Sequence, residues 1–374
     1  MKILFDPQIF HIQKFGGIST IFSELWLRMN SEPNIEIQCP IIYSENIYLK
    51  NMGLWKSNFS SLLNLNFKGS GRIKDYLFHL SRKRTISYLE KGNFDIFIPT
   101  YYNPYFLEHL HGKPFILFVH DMTHELFPHY FSINDKTILH KKILIEKANE
   151  IIVVSENTKR DIMTFYPNLD ISKIHVIHLA QSLPSGSAKS IQLPKKYLLY
   201  VGARKGYKNF NFCIDAIANL LRESDELHLV CAGGGSFNDI ELKKIADLEI
   251  SKKVIQIEFN QEELSSIYKH AIAFVFPSKY EGFGIPILEA MKSGCPVILS
   301  KSASFPEVAR DAALYFEPGN SQELVVMVSK ILSDDVLRLE MINRGREREK
   351  KFSWERIKNQ FIEVLNITLS TKLL

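Results

Sequence analysis

The stretch Pro277–Gly294, PSKYEGFGIPILEAMKSG, decides how the rest of the chain is read. An apolar strand ends at Pro277, and a glycine-bearing loop then carries Glu281. Pro286 stands where a first helical residue tolerates proline, and Gly294 marks the helix end. Glu281 therefore lies in the loop before the helix, and Glu289 lies about one turn inside it. The backbone N–H groups near Gly284 and Ile285 have no partner within the helix, which makes them a ready site for phosphate. A carboxylate on either side of that site can accept hydrogen bonds from sugar hydroxyls. The competing reading is a solvated surface glutamate beside an ordinary helix glutamate.

Outward from this stretch, short apolar runs alternate with helical patterns from end to end. Strands are expected at Lys2–Asp6, Ile35–Tyr43, Asp95–Thr100, Pro114–Asp121, Ile151–Ser155 and Lys173–His178. A second series is expected at Tyr197–Gly202, Leu227–Ala232, Val254–Phe259, Ala273–Pro277, Pro296–Ser300 and Ala313–Phe316. Most are continuous apolar runs, as a parallel sheet covered on both faces requires. The fold class is α/β, with two Rossmann-like, doubly wound parallel sheets. Leu179–Lys196, LAQSLPSGSAKSIQLPKK, reads as the linker. The expected division is a first Rossmann-like domain over 1–183 and a second over 184–353. Residues 354–374 form a terminal segment with an amphipathic helical pattern over Trp354–Ile367.

The bulk numbers agree with this. The chain has 374 residues, 45% hydrophobic and 23% charged, enough for two buried cores. The four cysteines, Cys39, Cys213, Cys231 and Cys295, are scattered, which argues against a disulfide scaffold or a zinc site and for a reducing compartment. MKILFDPQIF reads as a first strand rather than a signal peptide, and no uncharged apolar stretch reaches membrane-spanning length. The expected location is the cytoplasm. A net charge of +5 suits an anionic substrate or an acidic membrane surface. Zinc-finger spacing and RNP-type aromatics are missing, so nucleic acid is not an expected partner.

Glu-Gly-Phe-Gly-Ile-Pro-Ile-Leu-Glu, with seven residues between its glutamates, resembles the signature of retaining glycosyltransferases of the GT-B fold, family 4. The resemblance implies that Glu281 contacts hydroxyls of the donor sugar and Glu289 the ribose of the nucleotide. Gly282, Phe283, Gly284 and Ile285 complete that donor-binding stretch. A glycosidase pairing of the two glutamates would ignore the phosphate-binding features around them. YVGARKGYKNF, Tyr200–Phe210, is similar to the family's first strand and loop of the second domain. Carried over, Gly202 lies at the donor, and Arg204 and Lys208 offset the charge developing on the diphosphate. Ala203 stands where the family more often has the arginine. The bland alternative for this loop is a solvated basic turn.

In the first half, FGGIS places Gly16 and Gly17 after the first strand, in a loop whose family counterpart approaches donor phosphate or acceptor. Taken alone, the glycine pair is an ordinary turn. FVHDMTH puts His120 and Asp121 at the C-terminal end of an apolar strand, where catalytic residues of open α/β sheets gather. By resemblance, His120 lies beside the transferred sugar. Ser155 reads as a helix cap with Thr158 close behind, and SASFPEVARDAALYFEPGN, Ser302–Asn320, is also family-like, a resemblance in which Glu307 helps fix the nucleotide region. Ile257 stands where the family often has glycine near the base. AGGGSF, Ala232–Phe237, lacks the GxGxxG order and reads as a turn. No Asp-x-Asp lies at a strand end, so neither a metal nor another cofactor is implied. The basic segment Phe67–Arg84 interleaves Lys68, Arg72, Lys74, Arg82, Lys83 and Arg84 with apolar residues. It suggests peripheral contact with the inner face of the membrane, a solvated helix face being the alternative.

The resemblance implies transfer of a hexose, from a GDP-mannose-type donor or a UDP-hexose, to an oligosaccharide or lipid-linked acceptor. The setting it implies is O-antigen or capsule synthesis. Two other classes compete: a catalytically silent nucleotide-sugar-binding subunit, and an NAD-dependent oxidoreductase.

Overall fold

The computed structural model describes residues 1–55, 70–184 and 191–370. The middle of the linker, the start of the basic segment (67–69, with Lys68) and residues 371–374 lie outside the described residues. Among the described residues, twelve strands form where the apolar runs stand. The first half contains β1 (Lys2–Phe5), β2 (Glu36–Gln38), β3 (Ile96–Ile98), β4 (Ile116–Val119), β5 (Glu150–Val153) and β6 (Ile174–Val176). The second contains β7 (Lys196–Val201), β8 (Leu227–Ala232), β9 (Val254–Ile257), β10 (Ala273–Phe276), β11 (Val297–Ser300) and β12 (Leu314–Phe316). Every residue of β4, β10 and β11 is buried, which explains why these strands read as unbroken apolar runs rather than alternations. β2 falls furthest short of its run. Pro40 has no N–H for a sheet ladder, and the chain leaves the sheet after Gln38.

All pairings are parallel. In the first half the order β2-β1-β3 is joined to β4-β5-β6 by a bridge between Phe97 and Phe115. In the second half the order is β12-β11-β10-β7-β8-β9. Each half therefore winds outward in two directions from a central pair. The switch points lie between β1 and β3 and between β7 and β10, the places where ligands bind in such sheets.

Five helices position the cleft: α1 (Gly17–Met29), α2 (Ser70–Lys91), α3 (Glu156–Phe165), α4 (Ile285–Lys292) and α5 (Trp354–Ser370). The terminal helix α5 buries Ile357, Phe361, Val364 and Leu365. Phe361 packs on Phe118 of β4 at 5.7 Å, and Lys358 Nζ pairs with Glu32 Oε1 at 2.6 Å. At its start, Trp354 Nε1 donates to the Gln181 carbonyl at 3.0 Å and to Ser182 Oγ at 2.9 Å. The last helix is thereby stitched to the segment that joins the halves and to the first half's core.

A second tie is ionic. Glu307 stands in the first turn of the short helix Phe305–Ala309 of the second half. Its carboxylate accepts the Glu156 N–H at 2.8 Å and the Asn157 N–H at 3.2 Å, capping α3 of the first half from outside. His178 Nε2 adds a contact at 2.6 Å. Burial alone would raise the Glu307 pKa, but His178 and the two amides hold it below the usual range. Removing a cap that also bridges two halves costs about 1–2 kcal/mol. Glu307→Ala is expected to lower the unfolding midpoint and loosen the coupling of the halves in chemical denaturation, whereas a midpoint equal to wild type would contradict the tie.

Candidate active site

At the switch point of the second sheet, two loops are laced together. Asn209 Nδ2 donates to the Pro277 carbonyl at 3.2 Å, and the Lys279 N–H donates to the Tyr207 carbonyl at 2.8 Å. The lacing sets Lys208 Nζ 2.6 Å from Glu281 Oε1. Burial works against the Lys208 ammonium, but Glu281 and Tyr207 outweigh it and hold its pKa above the ordinary value. A charged amine is thus fixed beside the N-terminus of α4, where Gly284 is the N-cap and makes no side-chain cap bond. The arrangement combines a cation with unpaired backbone donors, which suits a phosphate.

Glu289 lies one turn into α4, half-buried, with Tyr268 donating its hydroxyl to Oε2 at 3.0 Å. Burial raises its pKa to about 7, with the Tyr268 hydrogen bond pulling the other way. The first half closes over this place. Tyr48 feels the Glu289 charge, and a Cβ at Gly17 would touch Ile285 Cδ1 at 3.9 Å. Gly16 packs against Gln13, whose Oε1 takes the Ser19 N–H at 3.0 Å. Phe283 turns into the core against His178 and Phe352, so it anchors the loop rather than facing the cleft.

The halves meet most tightly at Gly282. A Cβ there would collide with the His120 carbonyl oxygen, so only glycine permits the approach. His120 is itself buried, flanked by Phe22 and Phe118. Burial pushes its imidazole down to about 4, so it is neutral near pH 7. Its Nδ1 is buried without a hydrogen-bond partner among the described residues. A buried polar atom left without a partner is one that a water or a ligand can satisfy. Burial would raise the Asp121 carboxyl, but Lys141 and Thr123 hold it low, and its charge reaches Lys208.

Arg204 departs from expectation. Its Nε donates to Glu241 Oε1 at 3.0 Å, and its terminal nitrogens reach the carbonyls of Gly233 at 2.9 Å, Gly235 at 2.8 Å and Ser236 at 3.0 Å. These contacts occupy the guanidinium within the second half, away from a role as a free phosphate clamp. The three glycines of AGGGSF all have positive φ, and a Cβ at Gly234 would strike the carbonyl of Gly202. Arg204 therefore fixes that turn against Gly202, while the Ile257 carbonyl receives the Gly233 N–H at 3.2 Å. Ser155 Oγ caps α3 through the Thr158 N–H at 3.0 Å. Glu307, expected at the nucleotide, is the tether between the halves. On α2, Lys74 pairs with Glu45, Arg82 lies over Tyr105 and Arg84 over Tyr88, so the basic segment is not one free cationic face.

Sequence patterns did not single out Tyr48, Tyr268, Tyr280 or Asp161. Tyr280 donates to Asp161 Oδ2 at 2.6 Å and accepts the Met122 N–H at 3.2 Å, a further tie across the cleft. Each depends on contacts between residues far apart in the chain. Among the described residues no group of acidic, histidine or cysteine side chains could hold a metal ion, and no helix is long and apolar enough to cross a membrane.

The Glu289 shift has a thermodynamic sign. A carboxyl whose folded pKa is raised is held protonated by the fold, while the unfolded chain releases that proton earlier. Stability is therefore lost as pH rises through the window from 4.5 to about 7. Relative to Glu289→Gln, the wild type is expected to lose stability across that window in denaturant titrations, and a difference independent of pH would contradict the buried carboxyl.

Comparison with known proteins identifies the family. Residues 187–348 match the family model described as "Glycosyl transferases group 1", and residues 65–180 match "Glycosyltransferase Family 4". The O-antigen chain mannosyltransferase B of Escherichia coli is 28% identical over 284 residues, covering 72% of this chain and 73% of its own length. The O-antigen chain mannosyltransferase RfbU of Salmonella typhimurium is 33% identical over 208 residues. That match covers 54% of this chain and only 57% of RfbU. The structure of Anabaena HepE in complex with UDP and glucose superimposes with a TM-score of 0.71 at 16% identity, covering 98% of this chain and 99% of that one. Family models over both halves, the shared two-sheet fold and the paired glutamates lead to one conclusion: the chain belongs to the family 4 glycosyltransferases of the GT-B fold.

Proposed function

We propose that the enzyme moves a hexose from a nucleoside diphosphate sugar to a saccharide or lipid-linked acceptor in surface polysaccharide synthesis, with retention of anomeric configuration. The observation that carries this reading is the Lys208–Glu281 pair at the N-terminus of α4, next to the Gly282 contact with the backbone of His120, whose buried Nδ1 has no partner among the described residues. The two mannosyltransferase relatives favour a GDP-mannose-type donor, with a UDP-hexose as the alternative.

In this reading the diphosphate lies on the α4 N-terminus and takes the Lys208 ammonium, which offsets charge as the bond from sugar C1 to phosphate oxygen breaks. Glu281, relieved of Lys208, accepts sugar hydroxyls together with His120. Glu289, held by Tyr268, accepts from the ribose. The new bond from C1 to the acceptor oxygen forms on the face the diphosphate leaves, and the acceptor hydroxyl gives its proton to a departing phosphate oxygen. No protein base is needed for that step. Arg204 acts at one remove, holding the glycine turn beside Gly202. Apposition of the halves excludes water that would otherwise hydrolyse the donor.

The test is calorimetry with UDP, GDP, ADP and their sugar conjugates on the wild type, Glu289→Ala and Lys208→Ala. One nucleotide is expected to bind, with affinity reduced about tenfold or more in each variant, as the loss of a charged hydrogen bond implies. Failure of every nucleotide to bind the wild type would overturn the reading, and binding without any sugar transfer by the purified chain would favour a silent nucleotide-sugar-binding subunit.

A further inference from the structure

Lys141 is fully buried, although lysine is among the residues least often enclosed by a fold. It stands on the helix Thr137–Lys147 and reaches the turn after β4 that carries His120 and Asp121. A buried ammonium is retained only where its donors find partners. Lys141 Nζ donates to the Asp121 carbonyl at 3.0 Å and to Glu125 Oε2 at 2.9 Å. It also lies 5.0 Å from the centre of the Tyr102 ring. Neither Lys141 nor Tyr102 touches the donor in the transfer reading.

The bonds converge on one turn. Tyr102, whose ring faces the Lys141 ammonium, accepts the His120 N–H on its hydroxyl at 3.2 Å. The His120 carbonyl is the atom against which Gly282 packs. Lys141 holds the Asp121 carbonyl, the Met122 N–H donates to the Tyr280 hydroxyl at 3.2 Å, and Asp121 Oδ1 accepts the Thr123 N–H at 2.9 Å. Backbone groups from His120 to Thr123 are thus tied one after another, so the His120 ring has a fixed base. Charge follows the same geometry. Burial would raise the Asp121 carboxyl, but Lys141 holds it low. For His120, burial lowers the imidazole, Asp121 opposes that, and Lys141 adds to the lowering.

We propose that Lys141 and Tyr102 are positioning residues for sugar transfer, a buried brace that fixes the turn carrying His120 and Asp121 without touching the donor. The proposal rests on the glycosyltransfer reading and adds to it two residues outside the donor site. An ion pair that merely secured its helix would need only Glu125. The bonds to the Asp121 carbonyl and the His120 N–H tie this one to the reaction centre.

The experiment compares three variants of the full chain with wild type: Tyr102→Phe, Glu125→Gln and the double variant Glu125→Gln/Lys141→Met. The double variant removes both charges together and so leaves neither buried unpaired. Glu125→Gln alone keeps Lys141 on the Asp121 carbonyl. Calorimetry measures GDP-mannose against GDP and UDP-glucose against UDP, and the ratio of affinities reads the contribution of the sugar. The ratio is expected to fall about fivefold or more in the double variant and about threefold in Tyr102→Phe. It stays within about twofold in Glu125→Gln, as does affinity for the nucleotide alone in all three. A ratio unchanged in the double variant and in Tyr102→Phe overturns the brace. So does a ratio lowered equally by Glu125→Gln, the mark of a purely structural ion pair. Tyr102→Phe, which removes only a hydroxyl, decides the matter if the double variant fails to fold.

The nucleotide-free chain supplies an independent measurement. Followed by NMR, the His120 ring is expected to gain its proton at higher pH in the double variant than in wild type, where Lys141 opposes that proton. An unchanged His120 titration overturns the brace whether or not nucleotide binds. Failure of the wild type to bind any nucleotide would instead count against the donor reading.

Discussion

The cleft depends on a steric constraint at Gly282, where the backbone of the second half lies against the His120 carbonyl with no room for a side chain. This contact sets the C-terminal edge of β4 against the loop after β10. Phe283, the next residue, is anchored among His178 and Phe352. Glu281, the residue before, is left facing Lys208. Three consecutive residues thus serve as spacer, anchor and functional group. Small displacements of reacting groups cost large factors in rate, which gives a reason for so tight a join.

Around that join, charge is distributed unevenly. Lys208 is kept cationic by Glu281, whereas burial keeps His120 neutral. A neutral imidazole with one unpartnered nitrogen can hydrogen-bond a sugar hydroxyl without competing for the diphosphate that Lys208 attracts. The ties that hold the halves together, Glu307 on the α3 N-terminus and Tyr280 on Asp161, lie beside this centre without occupying it. Structural and chemical groups are therefore separated by residue, although they share the same loops.

Much of this was legible in the sequence because it is local. The apolar runs mark the strands, since both faces of each sheet are covered. The spacing of Glu281 and Glu289 around Gly284 and Pro286 places one carboxylate before a helix and one inside it. What stayed hidden is non-local. Arg204 sits in the expected loop, yet Glu241 and the glycine turn capture its guanidinium, and only tertiary contact reveals that. Glu307 follows a family-like motif, but its partners lie some 150 positions earlier in the chain. Tyr48 and Tyr268 belong to no motif at all; they matter because folding brings them to Glu289.

The most direct measurement is a structure of the chain with its nucleoside diphosphate sugar bound. Diphosphate oxygens at the N–H groups that open α4, Lys208 drawn from Glu281 onto phosphate, and the sugar between Glu281 and His120 are the expected arrangement. A nucleotide bound elsewhere, with the Lys208–Glu281 pair undisturbed, would contradict it.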